Sequence, residues 1–268
     1  MMLRVMGDSH VAALAVGWRD LATHAVKTDL SLSIGYLGSG VYLSSPFFFL
    51  GNDEIRWTCE EYAKGFLNLA GRERMTREPG IIYGLCLGFH TGEIVRLPSW
   101  RDFRPWRTSA PTLVPVSDAI VREAVKEYSR YVIEFYDVML QLEIPFFVIQ
   151  APPFRKQHWC IALEGTRPDV AIEIDRLFRE TMANELAARG IVNVPPPRIT
   201  MDEQGFLLPE YEIGGDDPHH ANGEYGKLMI LQVLKAAAAL VGAAPRASLS
   251  CGKASLFRRG ACPITSNR

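Results

Sequence analysis

The sequence lacks any uninterrupted run of about 18 apolar residues, the length that a membrane-spanning helix requires. Its most apolar window, residues 228–244, still contains Gln232 and Lys235 and indicates a packed helix. The N-terminal residues show no long apolar segment ahead of the first polar cluster, as a secretory signal would. We therefore expect a cytoplasmic protein without a membrane span.

A strong net charge is also missing, because 29 basic and 30 acidic residues give a formal charge of -1. This balance disfavours binding to nucleic acid or to an anionic membrane. No P-loop and no G-x-G-x-x-G motif follows the first predicted strand, which disfavours nucleotide binding. C-x-x-C pairs are absent, so we expect no zinc ribbon and no thioredoxin-like site. Reduced thiols are expected at the five cysteines, Cys59, Cys86, Cys160, Cys251 and Cys262.

The sequence does contain an alternation of apolar runs and amphipathic segments. Continuous apolar runs predict strands at residues 3–6, 30–34, 81–87, 146–150 and 191–194. Helical spacing of apolar residues predicts helices directly after Ser9 and over residues 117–142, 167–189 and 222–241. The alternation is typical of an α/β protein and predicts a three-layer α/β/α sandwich around a parallel sheet of about five strands.

Residues 1–244 are predicted to form one domain with long connections at about residues 41–79 and 91–116. The second connection holds a Trp- and Arg-rich segment, residues 100–107, which either shapes a substrate pocket or packs on the domain as a surface insertion. Residues 245–268 contain five basic residues and no acidic residue. We predict a disordered basic tail there, with a weak contact to an acidic partner as the alternative.

The first candidate site is the tetrapeptide Gly7-Asp8-Ser9-His10 at the end of the first predicted strand. In parallel sheets, functional groups gather at the carboxyl ends of the strands. Because a helix starts at or just after Ser9, its backbone N–H groups would favour a developing negative charge there. Asp and Ser are also ordinary turn and capping residues, so the tetrapeptide alone fits a simple helix cap as well.

The second candidate site is the segment Asp217-Pro218-His219-His220, just before the last predicted helix. A nucleophilic serine needs a base to take its proton, and the imidazole needs an acceptor to orient it. An Asp three residues before a His can supply both groups from one loop. A second register, Asp216 with His219, has the same spacing, but Asp217 with His220 is preferred because Ala221-Asn222 follows it.

Together, the two motifs resemble the SGNH (GDSL-like) hydrolase superfamily, whose members carry a GDS turn after the first strand and a D-x-x-H segment before the last helix. The resemblance extends over residues 3–241, although short motifs carry it. It implies a flavodoxin-like SGNH fold with Ser9 as nucleophile, His220 as general base and Asp217 as the orienting carboxylate. It also implies an oxyanion hole that includes the Ser9 amide.

The other two oxyanion-hole donors implied by the resemblance are a Gly after the second strand and an Asn after the third. Gly38 is the first choice for the Gly and Gly40 the second. The third strand ends in Gly88-Phe89-His90, so His90 stands where the family has Asn, and an imidazole N–H can also donate. Asn52, in the text Gly51-Asn52-Asp53, is the competing candidate.

The resulting hypothesis is a serine esterase or deacylase that cleaves a small acyl ester, such as acetyl, possibly on carbohydrate, through an acyl-serine intermediate. The alternatives are a non-catalytic SGNH-fold binding or regulatory protein, favoured by the missing Asn, and an O-acyltransferase that uses the same serine. A metal-dependent phosphoesterase would use acidic and histidine ligands from the same motifs (Asp8, His10, Asp216, Asp217, His219 and His220), but its further motifs are absent. We therefore predict no metal and no cofactor, and a small-molecule or carbohydrate ester as partner.

Overall fold

A computed structural model describes residues 1–23 and 30–243 of the 268-residue chain. The predicted basic tail, with Cys251 and Cys262, lies outside the described residues. The described cysteines, Cys59, Cys86 and Cys160, are free thiols.

Strands and helices alternate along the chain as the apolar pattern predicted, with bounds that differ by at most two residues. The strands are β1 (Met2–Gly7), β2 (Ser31–Tyr36), β3 (Phe48–Leu50), β4 (Ile55–Trp57), β5 (Ile81–Cys86), β6 (Phe103–Pro105), β7 (Val114–Val116), β8 (Phe146–Ile149) and β9 (Asn193–Val194). The helices are α1 (Val11–Thr23), α2 (Glu60–Ala70), α3 (Gly92–Val95), α4 (Asp118–Gln141), α5 (Trp159–Ala162), α6 (Pro168–Ala188) and α7 (Gly223–Ala243). Short 3-10 turns lie at Gly40–Ser44, Pro98–Arg101, Arg198–Thr200 and Pro209–Tyr211.

The central sheet has five strands in the order β2-β1-β5-β8-β9, and every pair is parallel. β1, β5 and β8 are buried along almost their whole length, because helices cover both faces of the sheet. This arrangement confirms the predicted three-layer α/β/α architecture with five parallel strands.

The two faces of the sheet carry separate hydrophobic cores. On one face, Leu3 and Val5 of β1 pack with residues of α1 and α7. On the other face, Tyr83 and Leu85 of β5 pack with α2, α4 and α6. β1 contributes to the first core and leads directly into α1, so its end is held rigidly between the layers.

Helices α1 and α7 touch at two glycines. A Cβ on Gly226 would lie 1.8 Å from the carbonyl oxygen of Ala13, and a Cβ on Gly17 would lie 2.2 Å from the carbonyl carbon of Gly226. No side chain fits at either position, so the two backbones approach as closely as helices can. This contact brings the start of α1 and the start of α7 together, although they are far apart in sequence.

Helix α7 is the one helix in the described residues whose length and composition, over Gly223–Gly242, would allow it to cross a membrane. In this structure, Tyr225, Met229, Ile230 and Val233 are buried in the core that α7 shares with α1 and the sheet. The expected packed helix is therefore present.

The two long connections contain small elements that the sequence analysis did not predict. Residues 41–79 hold the β3-β4 hairpin and α2, and residues 91–116 hold the parallel pair β6-β7. Helix α2 buries Tyr62 and Phe66 and ends at Gly71 in a left-handed conformation. Both connections pack on the domain rather than extending from it, since Phe47, Trp57 and Trp100 belong to its core.

Candidate active site

Ser9 lies in a tight turn between β1 and α1. Gly7, the last residue of β1, is pressed against β5, since a Cβ there would lie 2.4 Å from the carbonyl oxygen of Cys86. The carbonyls of Asp8 and Ser9 accept hydrogen bonds from the amides of Val11 (3.1 Å) and Ala12 (3.2 Å). The helix therefore begins just after Ser9, as the sequence predicted, and the serine side chain is held at its N-terminus.

The loop before α7 is organised by one carboxylate. Asp217 Oδ1 accepts hydrogen bonds from the amides of His219 (2.8 Å) and His220 (3.0 Å). Asn222 then caps the helix, because its Oδ1 accepts from the amides of Glu224 (3.0 Å) and Tyr225 (3.2 Å). These bonds fix the direction in which the His220 ring leaves the backbone.

Ser9, His220 and Asp217 form a continuous chain of hydrogen bonds. Ser9 Oγ lies 2.8 Å from His220 Nε2, and His220 Nδ1 lies 2.8 Å from Asp217 Oδ2. A carboxylate can only accept, so Nδ1 carries the proton and Nε2 is left to accept from the serine hydroxyl. Of the two Asp-x-x-His pairs in the sequence, the preferred one, Asp217 with His220, makes this contact, whereas His219 contacts His158.

Asp217 is ionised at neutral pH. Partial burial alone would raise its pKa, but the amide hydrogen bonds from His219 and His220 and the contact with the His220 ring lower the pKa to about 2. A carboxylate in this state stabilises the positive charge that forms on His220 when the imidazole takes a proton.

Arg155 anchors the loop that carries Asp217 and His220. Its guanidinium pairs with Glu212 at 2.6 Å, donates to the carbonyl of Asp217, and lies 3.4 Å from the carbonyl of His220. Both partners of the ion pair are buried, with side chains 5% and 13% exposed. The sequence analysis missed Arg155, because nothing in its neighbourhood resembles a motif.

A cavity of about 650 Å³ opens beside this chain of hydrogen bonds. Ser9, Asp217 and His220 lie in its wall, and most of the other wall residues are apolar or small: Val11, Ala12, Ala13, Ala15, Val16, Ile34, Gly35, Ile213, Ala221 and Gly223. Tyr36 and Asn222 add polar groups to the wall. The nucleophile and base candidates thus face a space that can hold an apolar group.

The two glycine candidates for the oxyanion hole lie in different surroundings. Gly40 lies against Asp8, since a Cβ there would be 3.2 Å from Asp8 Oδ2. Gly38 lies against the ring of Tyr62, which a Cβ would approach to 2.3 Å. Both glycines therefore follow β2 near the carboxyl edge of the sheet, and Gly40 directly contacts the residue before Ser9.

Asn52 and His90, the two candidates for the oxyanion-hole position that the resemblance assigns to Asn, also lie in different parts of the structure. Asn52 is exposed in the turn of the β3-β4 hairpin, outside the central sheet. His90 follows β5, and its ring centroid lies 4.6 Å from that of His219 and 5.1 Å from that of His10. His90 does not line the cavity beside Ser9 among the residues described there, but lines a smaller cavity next to it.

Four histidines, His10, His90, His158 and His219, line this smaller cavity, which we call the histidine pocket. Burial, followed by the neighbouring histidines, holds the pKa of His10 well below its ordinary value and lowers the pKa of His90 to about 3. The same two causes lower the pKa of His219 to about 4, and burial followed by His219 lowers that of His158 to about 3. All four imidazoles are neutral at physiological pH.

Asp8 is the acidic residue nearest the turn. Burial raises its pKa to about 6, against the opposing hydrogen bond from the His10 amide and the nearby His220. Its Oδ1 accepts that amide hydrogen bond at 3.0 Å. Asp8 therefore acts as a turn residue that supports the position of Ser9 and His10.

The Trp- and Arg-rich segment divides between core and surface. Trp100 is buried and donates its indole N–H to the carbonyl of Ile94 at 2.7 Å. Trp106 is 57% exposed, with the Arg107 guanidinium 5.5 Å from its ring centroid. Packing therefore accounts for Trp100, whereas Trp106 and Phe103 are the exposed aromatic side chains of the segment.

No protein-family model matches the chain, and no curated protein matches its sequence. Solved structures with a similar arrangement include a GDSL-like lipase from Bacteroides thetaiotaomicron, at 11% identity and a TM-score of 0.44, covering 88% of both chains. A member of the lipolytic G-D-S-L family from Veillonella parvula shows 13% identity and a TM-score of 0.44, covering 88% of this chain and 97% of the other. An acetyl xylan esterase shows 8% identity and a TM-score of 0.41, covering 88% and 99%.

The features that define the fold are present in this structure itself. Five parallel strands lie between helical layers, a serine follows β1, and an Asp-x-x-His segment precedes the last helix. The chain has a three-layer α/β/α fold, and its two sequence motifs lie at the carboxyl edge of the sheet, before α1 and before α7.

Proposed function

We propose that the protein is a serine esterase in which Ser9 is the nucleophile, His220 the general base and Asp217 the residue that orients His220. The observation that supports this proposal is the pair of 2.8 Å hydrogen bonds that links the three side chains. Nucleophile, base and orienting acid within hydrogen-bonding reach is the arrangement that activates a serine hydroxyl.

The proposed reaction has two steps. His220 takes the proton of Ser9 as Oγ attacks the ester carbonyl, and then gives it to the leaving alcohol, which leaves an acyl-serine. His220 next activates water, which releases the acid and regenerates Ser9. The oxyanion is proposed to rest on the amide of Ser9 and on a glycine amide after β2, at Gly38 or Gly40.

The substrate is proposed to be a small carboxylic ester, with an acetyl or other short acyl group. The apolar wall of the 650 Å³ cavity favours an aliphatic or aromatic group of the substrate in that space. A carbohydrate alcohol would need more hydrogen-bonding groups than this wall presents. A comparison of p-nitrophenyl acetate, butyrate and octanoate with an acetylated sugar therefore tests which part of the substrate the cavity holds.

Labelling of the intact protein with a fluorophosphonate tests the proposal directly. Site mapping by mass spectrometry is expected to find the label on Ser9 and to find none in Ser9→Ala. Absence of labelling in a folded protein would contradict an activated serine and would favour a non-catalytic binding protein of the same fold. Hydroxylamine or a sugar alcohol added during turnover distinguishes acyl transfer to water from transfer to another acceptor.

A further inference from the structure

We propose that His10, His90 and His219 form a binding site for a divalent transition metal ion, with Zn²⁺ as the best match. This site goes beyond the proposed esterase function, because none of the three imidazoles belongs to the Ser9–His220–Asp217 chain. It also revises the expectation of a chain without metal ligands.

The three side chains meet from three separate parts of the fold. His10 precedes α1, His90 follows β5, and His219 lies in the loop before α7. One ring nitrogen from each lies within 4.8 Å of those of the other two. In a tetrahedral zinc site with Zn–N bonds of about 2.0–2.1 Å, ligand nitrogens are about 3.4 Å apart. Small rotations of the three side chains therefore close the site.

Unpaired nitrogen atoms in the pocket indicate a missing partner. Both ring nitrogens of His10 are buried without a hydrogen-bond partner, and so is Nε2 of His90. His10 is 5% exposed. Buried polar atoms are nearly always paired, since leaving them unpaired costs their lost hydration. A metal ion at the centre of the three rings would bond one ring nitrogen of each histidine.

His219 is oriented as a metal ligand would be. Its Nδ1 lies 3.0 Å from His158 Nε2, and the indole N–H of Trp159 lies 3.1 Å from the same His158 nitrogen. Because an indole N–H can only donate, His158 Nε2 is an acceptor and His219 Nδ1 carries the proton. The lone pair of His219 is then on Nε2, and His158 serves as the partner that fixes this tautomer.

The two contacts of His158 Nδ1 with Cys160 differ in what they imply for that tautomer. His158 Nδ1 lies 3.1 Å from Cys160 Sγ, which can accept its proton. The Cys160 amide approaches the same nitrogen at a longer distance, 3.3 Å, and this contact favours the opposite tautomer. The indole N–H of Trp159, at 3.1 Å, is the closer of the two N–H donors to the His158 ring, and the assignment follows it.

The charges around the pocket permit a dication. A neutral imidazole is the form that binds metals. Arg179 acts on His10 and His90, and Arg155 acts on His219, but Arg179 is paired with Asp175 at 2.8 Å and Arg155 with Glu212 at 2.6 Å. The negative charge of Asp217 acts on His219 and favours a cation nearby.

The donor set points to the class of metal. Imidazole ligands suit Zn²⁺, Cu²⁺, Ni²⁺ and Fe²⁺, whereas Mg²⁺ and Ca²⁺ take oxygen ligands. Three protein ligands leave one position of a tetrahedral zinc ion for water or a small anion. Of these ions, Zn²⁺ imposes the least on the geometry and fits three rings of unequal spacing best.

The test is metal binding by the intact chain after treatment with a chelator. Calorimetric titration with Zn²⁺ is expected to show one ion per chain, and Zn²⁺ is expected to raise the melting temperature. His90→Gln and His219→Gln should each weaken Zn²⁺ binding by more than about 100-fold, because loss of a supporting partner alone costs about 10–100-fold. His158→Gln should fall within that smaller range, and Ser9→Ala should bind as the wild type does.

Co²⁺ gives a readout that needs no substitution. Four-coordinate Co²⁺ has intense visible bands, which should appear on titration of the wild-type protein and disappear when Zn²⁺ is added. No stoichiometric binding to folded wild-type protein would overturn the site, as would binding that survives both ligand substitutions. Because Ser9→Ala removes the proposed nucleophile alone, failure of the esterase proposal and failure of the metal site are distinguishable.

Discussion

Two pairs of neighbouring residues, Ser9-His10 and His219-His220, divide between two cavities that lie side by side. Ser9 and His220 line the larger, apolar cavity, whereas His10 and His219 line the histidine pocket with His90. His10 has no hydrogen-bond partner at its ring, while His220 is bonded at both nitrogens. Adjacent side chains in one turn thus line different cavities, and a short motif does not define a single site.

The largest effect is expected at Ser9, the proposed nucleophile. Ser9→Ala should reduce kcat by about 10⁶-fold, as loss of the serine does in a well-studied serine protease. Metal binding in the histidine pocket should be unchanged. Ester hydrolysis measured on highly purified variant protein provides the comparison, and substantial residual activity would mean that the nucleophile lies elsewhere.

The orienting acid should come next. Asp217→Asn is expected to lower kcat by about 10⁴-fold, because an amide favours the wrong tautomer of His220. The amide oxygen can still accept from the backbone N–H groups of His219 and His220, so the loop should keep its shape. Steady-state kinetics with circular dichroism check both expectations. A loss of structure equal to the loss of activity would assign Asp217 a purely structural role.

Arg155 lines the histidine pocket and holds the loop that carries Asp217 and His220. Arg155→Met leaves Glu212 buried without its partner, and breaking a buried ion pair in this way costs about 3–5 kcal/mol. Urea denaturation measures the change in the free energy of unfolding. The double variant Arg155→Met with Glu212→Leu should recover much of this loss, and no recovery would show that the pair is not the source.

The glycine contact between α1 and α7 should affect both cavities. Gly226→Ala places a Cβ 1.8 Å from the Ala13 carbonyl oxygen, and such overpacking costs about 1–3 kcal/mol or more. Gly242→Ala, in the same helix with no atom within 4 Å, should stabilise the protein by about 0.5–1 kcal/mol. Equal effects of the two substitutions, measured by thermal unfolding, would contradict the close approach.

The smallest effect is expected on the free energy of unfolding when the pH changes by one unit. In the unfolded chain, histidines take up protons below their ordinary pKa of 6.5. In the folded state, His90 takes up its proton only near pH 3 and His219 only near pH 4, because burial lowers their pKa values. Each such proton lowers the free energy of unfolding by about 1.4 kcal/mol per pH unit as the pH falls. Asp8 acts in the opposite direction between pH 3.8 and about 6, because only the folded state holds its proton.

Denaturation series from pH 7 to pH 4 in the presence of a chelator should therefore show falling stability, since the depressed histidines outnumber Asp8. His90→Gln should reduce the slope. A stability that stays level over this range would mean that the histidines are accessible to protons in the folded state.

The apolar runs were sufficient to predict the central sheet, because its three inner strands, β1, β5 and β8, are buried on both faces and have nearly continuous apolar sequences. The Asp217–His220 pair was also predictable, since both residues come from one loop and their spacing fixes the contact. The hairpin and α2 were not predicted, because their apolar residues are interrupted by polar ones in a segment without clear periodicity.

The histidine pocket and the Arg155 anchor could not be predicted from sequence. His158 and His219 are 61 residues apart, and Arg155 and Asp217 are 62 apart. Their contacts depend on where the chain folds back, and no local pattern records that. Of the six histidines in the chain, five meet in one region, and this concentration is visible only in three dimensions.

The separation of Ser9 and His220 by 211 residues has a consequence for synthesis. Contacts between such distant segments form late in folding, and a nascent chain folds from its N-terminal part as it emerges. Ser9 leaves the ribosome long before His220 and helix α7, whose Gly226 contacts α1, have been synthesised. We expect each new molecule to lack the contact between Ser9 and His220 until α7 has packed against α1, so that the candidate site forms only when the fold is complete.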